Sequence, residues 1–142
     1  MKKLLCYLSV LVILFIFAKV PFAEQEVILT ESGLKYIDLE AGTGTTAKVG
    51  KIAVIHFIGW LDDNGEKGEE IFNSRDRGKP VLFKLGTDNV IKGWNIGVAG
   101  MKFGGKRRLM VPSALGYGAT GGGDVIPPNA DLIFDIELIE VK

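Results

Sequence analysis

Glycine is the residue type that most limits what this chain can fold into. All 19 glycines lie between residues 33 and 123, where they recur at short intervals. Each can supply the positive φ that tight turns need, and each weakens the interior of a helix by about 1 kcal/mol relative to alanine. The sequence therefore predicts many turns, with short regular elements between them.

Between these turns, apolar and polar residues alternate in the manner of β-strands. In residues 132–141 the apolar face consists of Leu132, Phe134, Ile136 and Leu138. Residues 51–60 are apolar on both faces, which is typical of a strand that is covered on both sides or central to a strongly curved sheet. Further strands are predicted at residues 34–39, 81–85 and 106–111, with a polar lead-in at residues 24–32 and a solvated turn at residues 62–69.

One stretch has helical spacing instead. Between residues 88 and 101 the apolar side chains recur at roughly helical intervals, and Asp88 or Asn89 is the expected N-cap. Gly93 and Gly97 weaken this helix, so packing must hold it. Residues 112–129 predict a long loop without secondary structure, which in a small domain is more often functional than neutral. Together these patterns predict one α+β domain, an antiparallel sheet with one short helix.

The first 23 residues differ in composition from the rest. Two lysines precede an apolar run from Leu4 to Ala18, a pattern that predicts a secretory signal peptide and is short for a membrane-spanning helix. Export to the periplasm or another extracytoplasmic compartment is therefore expected, with a mature chain that begins near Glu24. Ile16 and Pro21 stand where a signal peptidase needs a small residue, so an uncleaved N-terminal membrane anchor stays open as the alternative.

Charge and composition exclude several classes of function. The formal net charge is 0 and the longest basic run is Lys106-Arg107-Arg108, which is too little to neutralise nucleic-acid phosphates. One cysteine and one histidine cannot form an internal disulfide or a four-ligand zinc site. His56 alternates with apolar residues, which favours a hydrogen-bonded structural role over general-base catalysis. No metal and no cofactor are expected.

Several motifs occur in a defined order along residues 34–141. They are Val90-Ile91-Lys92-Gly93-Trp94, Met101-Lys102-Phe103-Gly104-Gly105, Tyr117-Gly118-Ala119-Thr120-Gly121, Ile126-Pro127-Pro128-Asn129 and Leu132-Ile133-Phe134-Asp135-Ile136. Because it contains these motifs in this order, the chain resembles the FKBP-type peptidyl-prolyl cis-trans isomerases. The resemblance implies that residues 33–142 form an isomerase domain in which a strongly curved antiparallel β-sheet wraps around the short α-helix.

The same resemblance implies a non-covalent, cofactor-independent enzyme that accelerates rotation about Xaa-Pro bonds. Rotation about a peptide bond has a barrier of ~18–20 kcal/mol because resonance stabilises the planar amide. An apolar aromatic pocket removes water from the substrate carbonyl and favours the twisted, less dipolar amide, so no nucleophile is required.

By position, the resemblance assigns catalytic roles to five residues. Trp94 is the floor of the pocket and Phe57 and Phe134 are its walls. The hydroxyl of Tyr117 and the backbone N–H of Ile91 are the hydrogen-bond donors. The expected substrate-binding residues are Phe72, Asn73, Val81, Val90, Val125 and Ile126, with Val81 at the rim.

The sequence departs from the family's pattern at three places. Phe57 stands where the family usually has tyrosine, and Val81 where it usually has an aromatic residue. The usual Phe-Asp pair falls on Ile71-Phe72 without a gap, or on Phe72-Asn73 with one residue deleted, and we prefer the second register. Neither register keeps the carboxylate, although the amide of Asn73 can still form hydrogen bonds.

Three functions are compatible with these residues. The leading one is an exported, monomeric isomerase that acts on proline-containing unfolded or partly folded polypeptides. The alternative is a prolyl-peptide- or macrolide-binding module or chaperone without catalysis, for which the missing carboxylate and Val81 are the motivation. The third is an interaction domain with a filled core. Macrolides of the immunosuppressant type are candidate ligands, and nucleic acid is not an expected partner.

Overall fold

The computed structural model describes residues 24–142, which form one antiparallel β-sheet and one α-helix. The elements are β1 (Ile28–Leu29), β2 (Lys35–Glu40), β3 (Ile52–Asp63), β4 (Glu66–Asn73), β5 (Val81–Lys84), α1 (Lys92–Val98), β6 (Lys106–Val111) and β7 (Leu132–Val141). The sheet runs in the order β1-β2-β6-β7-β3-β4, and β5 also pairs with β3. This arrangement confirms the predicted α+β fold.

The longest strand, β3, lies inside the sheet and has three partners. One edge of β3 pairs with β7, whereas the other edge is shared between β5, which pairs with residues 52–55, and β4, which pairs with residues 58–63. Register shifts in the ladders with β4 and β7 mark β-bulges, which bend and twist a strand. His56 and Phe57 pair with neither β4 nor β5. We call this break between the two ladders the seam.

One face of the sheet packs on α1 and forms the core. The buried face of β7 consists of the residues that the alternating pattern predicts, namely Leu132, Phe134, Ile136 and Leu138. The helix lies close to β6 because it has glycine at the contact. A Cβ atom on Gly97 would lie 2.6 Å from the Leu109 side chain, and one on Gly93 would lie 2.6 Å from Val111. The glycines that weaken the isolated helix are therefore the ones that allow it to pack.

The helix begins later than the sequence predicts. Its N-cap is Ile91, which makes no side-chain capping bond, so the prediction of Asp88 or Asn89 as the cap is wrong. The loop before the helix is held by hydrogen bonds from a side chain inside the helix. The Asn95 amide donates to the Thr87 carbonyl at 2.7 Å and accepts the Gly86 N–H at 2.9 Å. These bonds tie the loop to the helix, and the first N–H groups of the helix stay without a side-chain cap.

The predicted turn at residues 62–69 is much shorter in the structure. Only Asn64 and Gly65 form the turn, with φ of 53° and 90°, and β4 starts directly after them. Most residues of β4 are charged or polar and only partly covered, since β4 lies at the edge of the sheet. An edge strand of this kind lacks the apolar alternation by which the other strands were predicted.

The long segment 112–129 is also more ordered than predicted. It contains two 3₁₀ turns, Ser113–Leu115 and Gly118–Thr120, and a β-bridge between Gly122 and Ile126. These are too short to leave a periodic pattern in the sequence. The segment is therefore an ordered loop with its own backbone hydrogen bonds.

At the N-terminal end, the predicted lead-in of residues 24–32 contains β1, which pairs with β2. The predicted leader, residues 1–23, lies outside the described residues. Within residues 24–142, no helix has the length and apolar character needed to cross a membrane.

Candidate active site

Four aromatic side chains from separate elements form one cluster, which we call the aromatic cluster. Trp94 lies in the first turn of α1 and meets Phe57 of β3 edge-on, with ring centroids 4.6 Å apart. Phe134 of β7 also meets Trp94 edge-on, at 5.5 Å, and Phe72 of β4 lies 6.4 Å from Phe57. Aromatic pairs in this geometry stabilise each other beyond the area that they bury. The fold thus brings together residues that are far apart in the sequence.

Trp94 is the centre of the aromatic cluster. The residue is 7% exposed, and its buried indole N–H has no hydrogen-bond acceptor among residues 24–142. An unpaired buried donor costs about 1–3 kcal/mol, so its presence needs an explanation. Phe83 of β5 lies 5.7 Å from Trp94 and is a neighbour that the sequence analysis missed. Its only signal was its place on the apolar face of a short strand.

A hollow of about 100 Å³ adjoins the aromatic cluster at the seam. Its apolar lining is Phe57, Phe72, Pro80 and Val81, and its polar lining is Asn73, Ser74, Arg77 and Lys79. The hollow has room for a few water molecules or one small apolar group. Phe72 and Asn73 line it together, which favours the register with one deleted residue. Arg77 and Lys79 were not among the predicted site residues, because charged side chains in a loop usually indicate only a solvated surface.

Ser74 closes the seam and holds Phe57 in place. Its hydroxyl oxygen accepts the Phe57 N–H at 2.8 Å, and its own N–H donates to the Phe57 carbonyl at 3.0 Å. The same hydroxyl lies 2.9 Å from Nδ1 of His56. The hydroxyl can donate to Nδ1 when the imidazole carries its proton on Nε2. His56 is therefore hydrogen-bonded, as predicted, and it supports Phe57 through Ser74.

The two predicted donors are not used by the protein's own hydrogen bonds. Within residues 24–142, no backbone or side-chain group accepts the Ile91 N–H, while the Ile91 carbonyl accepts the Trp94 N–H at 3.1 Å. Tyr117 is 37% exposed, and no hydrogen bond among the described residues occupies its hydroxyl. Partial burial raises the pKa of the Tyr117 phenol, so the hydroxyl stays protonated at neutral pH and can donate.

The loop that carries Tyr117 is shaped by backbone hydrogen bonds and by one close glycine contact. Gly122 and Ile126 exchange two N–H···O bonds of 3.0 Å. A Cβ atom on Gly122 would lie 3.1 Å from the Tyr117 ring and 3.3 Å from the Ile126 side chain. Ile126 is buried in the core, Val90 is half-buried against it, and Val125 is 48% exposed. The predicted binding residues of this region therefore differ in exposure, with Val125 at the surface.

Comparison with known proteins identifies the family of the chain that carries this site. A profile of the family described as FKBP-type peptidyl-prolyl cis-trans isomerase matches residues 43–139. The chain belongs to this family. Its activity is peptidyl-prolyl cis-trans isomerisation, as the sequence motifs predicted.

Relatives of this FKBP-type chain occur in bacteria and in eukaryotes. The "FK506-binding protein" of Neisseria meningitidis serogroup B is 50% identical over 109 residues, which is 77% of this chain and 96% of that protein. The "46 kDa FK506-binding nuclear protein" of Spodoptera frugiperda is 42% identical over 110 residues, which is 78% of this chain and 26% of that protein. The matching region is thus nearly the whole of one relative and a minor part of the other.

Solved FKBP-type structures have the same fold. FkpA from Escherichia coli matches with a TM-score of 0.74 at 42% identity, over 84% of this chain and 53% of that chain. AtFKBP13 matches with a TM-score of 0.71 at 37% identity, over 82% of this chain and 99% of that chain. This chain therefore spans about half of FkpA and nearly all of AtFKBP13.

In this FKBP-type domain, a buried arginine anchors the helix that carries Trp94. Arg107 of β6 is 8% exposed, and it donates to Asp38 of β2 at 2.7 Å and to the Gly97 carbonyl at 3.0 Å. The ring of Tyr36 lies 4.1 Å from its guanidinium carbon. Because α1 has no basic residue in its own last turn, Arg107 supplies the cation that the C-terminal carbonyls of the helix attract.

Proposed function

We propose that this isomerase seats the proline of an Xaa-Pro segment against the aromatic cluster and lowers the rotation barrier by favouring the twisted amide. One observation carries the proposal. Trp94, the centre of the cluster, and the unused N–H of Ile91 lie within one turn of each other at the start of α1. An apolar surface and a fixed donor are the two elements that this chemistry needs.

The physical reason concerns the amide itself. A planar amide separates charge between oxygen and nitrogen, and water stabilises that separation by hydrogen bonding to the carbonyl. The separation is lost as the C–N bond twists. A pocket that replaces water with aromatic carbon therefore disfavours the planar amide more than the twisted one, and only such a difference accelerates the reaction.

The remaining site residues would bind and orient the segment. The hydroxyl of Tyr117 and the N–H of Ile91 donate to carbonyls of the segment that flank the rotating amide, and Phe134 and Phe57 confine the proline ring. The residues that contact the flanking chain are Phe72, Asn73, Val81, Val90, Val125 and Ile126. Of these, exposed Val125 meets parts of the client that remain outside the pocket.

The test is isomerisation of an Ala-Leu-Pro-Phe 4-nitroanilide, followed by cleavage of the trans form with chymotrypsin. Uncatalysed isomerisation takes tens to hundreds of seconds, so a catalysed phase is readily separated. The expected result is a rate that rises in proportion to the concentration of the purified protein. A rate that stays at the uncatalysed value would refute the catalytic role of this site.

A second candidate function is binding of a macrolide without useful turnover. Asn73 in place of the usual carboxylate and Val81 in place of an aromatic residue favour it, since both change the lining of the hollow. The two relatives compared above are named for FK506 binding. Titration with FK506, followed by tryptophan fluorescence, separates the two functions: binding together with inhibited isomerisation supports the enzyme, and binding to an inactive protein supports the module.

For clients, we propose proline-containing polypeptides that are unfolded or partly folded after export. The support is the leader pattern of residues 1–23, two lysines followed by an apolar run. N-terminal sequencing of the protein from an extracytoplasmic fraction should give a start near Glu24, or Met1 in a membrane fraction if the leader remains as an anchor. Met1 in a soluble cytoplasmic fraction would contradict export.

We propose that the protein acts as a monomer. Size-exclusion chromatography should show a monomer.

A further inference from the structure

The hollow at the seam differs in charge from the rest of the protein. Residues 24–142 carry 14 basic and 17 acidic side chains. The lining of the hollow, in contrast, includes the cations of Arg77 and Lys79 and no carboxylate. Asn73 and Ser74, the other two polar residues of the lining, are neutral. An excess of positive charge is therefore concentrated at one wall of the site.

Asp76, the acidic residue of the segment that carries Arg77 and Lys79, does not line the hollow and forms no ion pair with either cation. No ion pair within residues 24–142 includes Arg77 or Lys79, whereas neighbouring Arg75 pairs with Glu137 of β7. Backbone bonds hold the segment between β4 and β5 in a tight turn, since the Arg77 N–H donates to the Ser74 carbonyl at 3.2 Å. The two cations are thus exposed, unpaired and attached to an ordered rim.

The hollow is within reach of a residue next to a bound proline. It shares Phe57 with the aromatic cluster, and the Phe57 ring is 4.6 Å from that of Trp94. Consecutive Cα atoms in a polypeptide are 3.8 Å apart. A proline ring against Trp94 therefore leaves the hollow within reach of a flanking side chain. Asp88 and Asp124, the acidic residues of the two other loops at the site, do not line it.

We propose that Arg77 and Lys79 are specificity-determining residues that make this isomerase prefer segments with an acidic residue beside the proline. The inference rests on the proposed function, because it needs the proline at the aromatic cluster. Exposed ion pairs are individually weak, so the preference for glutamate over lysine is about two- to fivefold in kcat/KM, and it decreases as salt screens the charges.

The experiment compares peptides that differ only in the residue before proline, which is Glu, Gln or Lys. A second set varies the residue after proline. Exchange NMR measures isomerisation directly and avoids a coupling protease with its own charge preference. At low ionic strength we expect the order Glu, Gln, Lys on at least one side of the proline, with a smaller spread at high ionic strength.

Variants of the full chain assign the effect to the two side chains. In the double variant Arg77→Gln, Lys79→Gln, the ratio of kcat/KM between Glu and Lys peptides should fall to near one. The matched control is Lys35→Gln, which removes a cation from β2, a strand separated from β3 by β6 and β7. The control should keep the wild-type ratio.

Two results would overturn the inference without affecting the proposed function. The first is normal turnover of the Gln peptide with no charge preference on either side of proline. The second is a preference that survives in the double variant. Failure to isomerise any of the peptides, the Gln peptide included, would instead overturn the proposed function and this inference with it.

Discussion

At residue scale, the side chain of Trp94 combines close aromatic packing with an unpaired polar group. Its ring packs edge-on against Phe57 and Phe134, yet its indole N–H has no acceptor within residues 24–142. Packing alone could be achieved with leucine or phenylalanine, which have no polar group to bury. The cost of the unpaired N–H indicates that the broad flat ring is retained for another purpose, and contact with proline is the purpose we propose.

Replacing Trp94 with leucine should therefore reduce activity more than stability. Leucine keeps much of the apolar bulk and removes the unpaired N–H, so the free energy of unfolding should fall by only about 1–3 kcal/mol. The value of kcat/KM should fall by about tenfold or more, because leucine has no flat aromatic face. Denaturant unfolding and peptide isomerisation on the same protein measure both quantities.

The matched control for this variant is Trp60→Phe. Trp60 lies outside the aromatic cluster, with the Lys67 ammonium 3.9 Å from its ring, and its replacement should leave kcat/KM close to the wild-type value. A Trp94→Leu protein with a large loss of stability and near-normal activity in its folded fraction would show that Trp94 is only a core residue.

Tyr117 allows a test of the donor, since its hydroxyl has no partner within the described part of the protein. Tyr117→Phe should leave the free energy of unfolding unchanged. It should lower kcat/KM by up to about fivefold, because a neutral hydrogen bond contributes about 1 kcal/mol. Steady-state kinetics on the two proteins provide the measurement. Equal values of kcat/KM would remove this hydroxyl from the mechanism.

At the scale of elements, α1 depends on its neighbours. Its seven residues include two glycines and no side-chain cap, and a helix this short does not form alone in water. The sequence predicted that packing must hold it, but not how. Arg107 and Asp38 are 69 positions apart, and local periodicity carries no information about such a pair. The aromatic positions of the site, in contrast, could be assigned from ordered motifs.

Replacing Arg107 with methionine should loosen α1. The carbonyls of Gly97 and Ala99 lose a charged donor, so the free energy of unfolding should fall by about 2–3 kcal/mol, and the amides of α1 should exchange faster with solvent. Hydrogen-exchange NMR reports the second effect residue by residue. Asp38→Asn is the control, because it leaves the bonds from Arg107 to the helix in place. Equal effects of the two variants on α1 would argue against the anchoring role.

At the scale of the whole molecule, one carboxylate links three strands. Asp135 of β7 accepts two hydrogen bonds from Arg108 of β6, at 2.7 and 3.0 Å, and one from Lys67 of β4 at 2.7 Å. The order of strands that creates this bridge was not evident from alternation. Alternation indicates which face of a strand is buried and says nothing about its partner. The family resemblance implied a curved antiparallel sheet around the helix, and no strand order was predicted from it.

The bridge makes the stability of the fold depend on pH. Burial alone raises the pKa of Asp135, but the hydrogen bonds and charges of Arg108 and Lys67 outweigh it and lower the pKa below its ordinary value. A carboxyl with a lowered pKa in the folded state stabilises the fold above its unfolded pKa of about 3.9, and this contribution is lost as the pH falls through the folded value. Denaturant unfolding between neutral and strongly acidic pH should show the loss.

Asp135→Asn identifies the group responsible for that acid sensitivity. The variant should be less stable than the wild type at neutral pH, and the difference between the two should shrink as the pH falls below the unfolded pKa. A difference that stays constant over the whole range would mean that ionisation of Asp135 does not contribute.

The seam beside Phe57 has a consequence for how this enzyme can diversify. Since β4 and β5 both pair with β3, each end of the segment 74–80 is fixed without help from the residues in between. Insertions and exchanges within that segment leave both ladders intact as long as Ser74 keeps its bonds to Phe57, and longer surface connections cost little entropy. Selectivity for clients and stability of the sheet can therefore evolve as nearly independent traits.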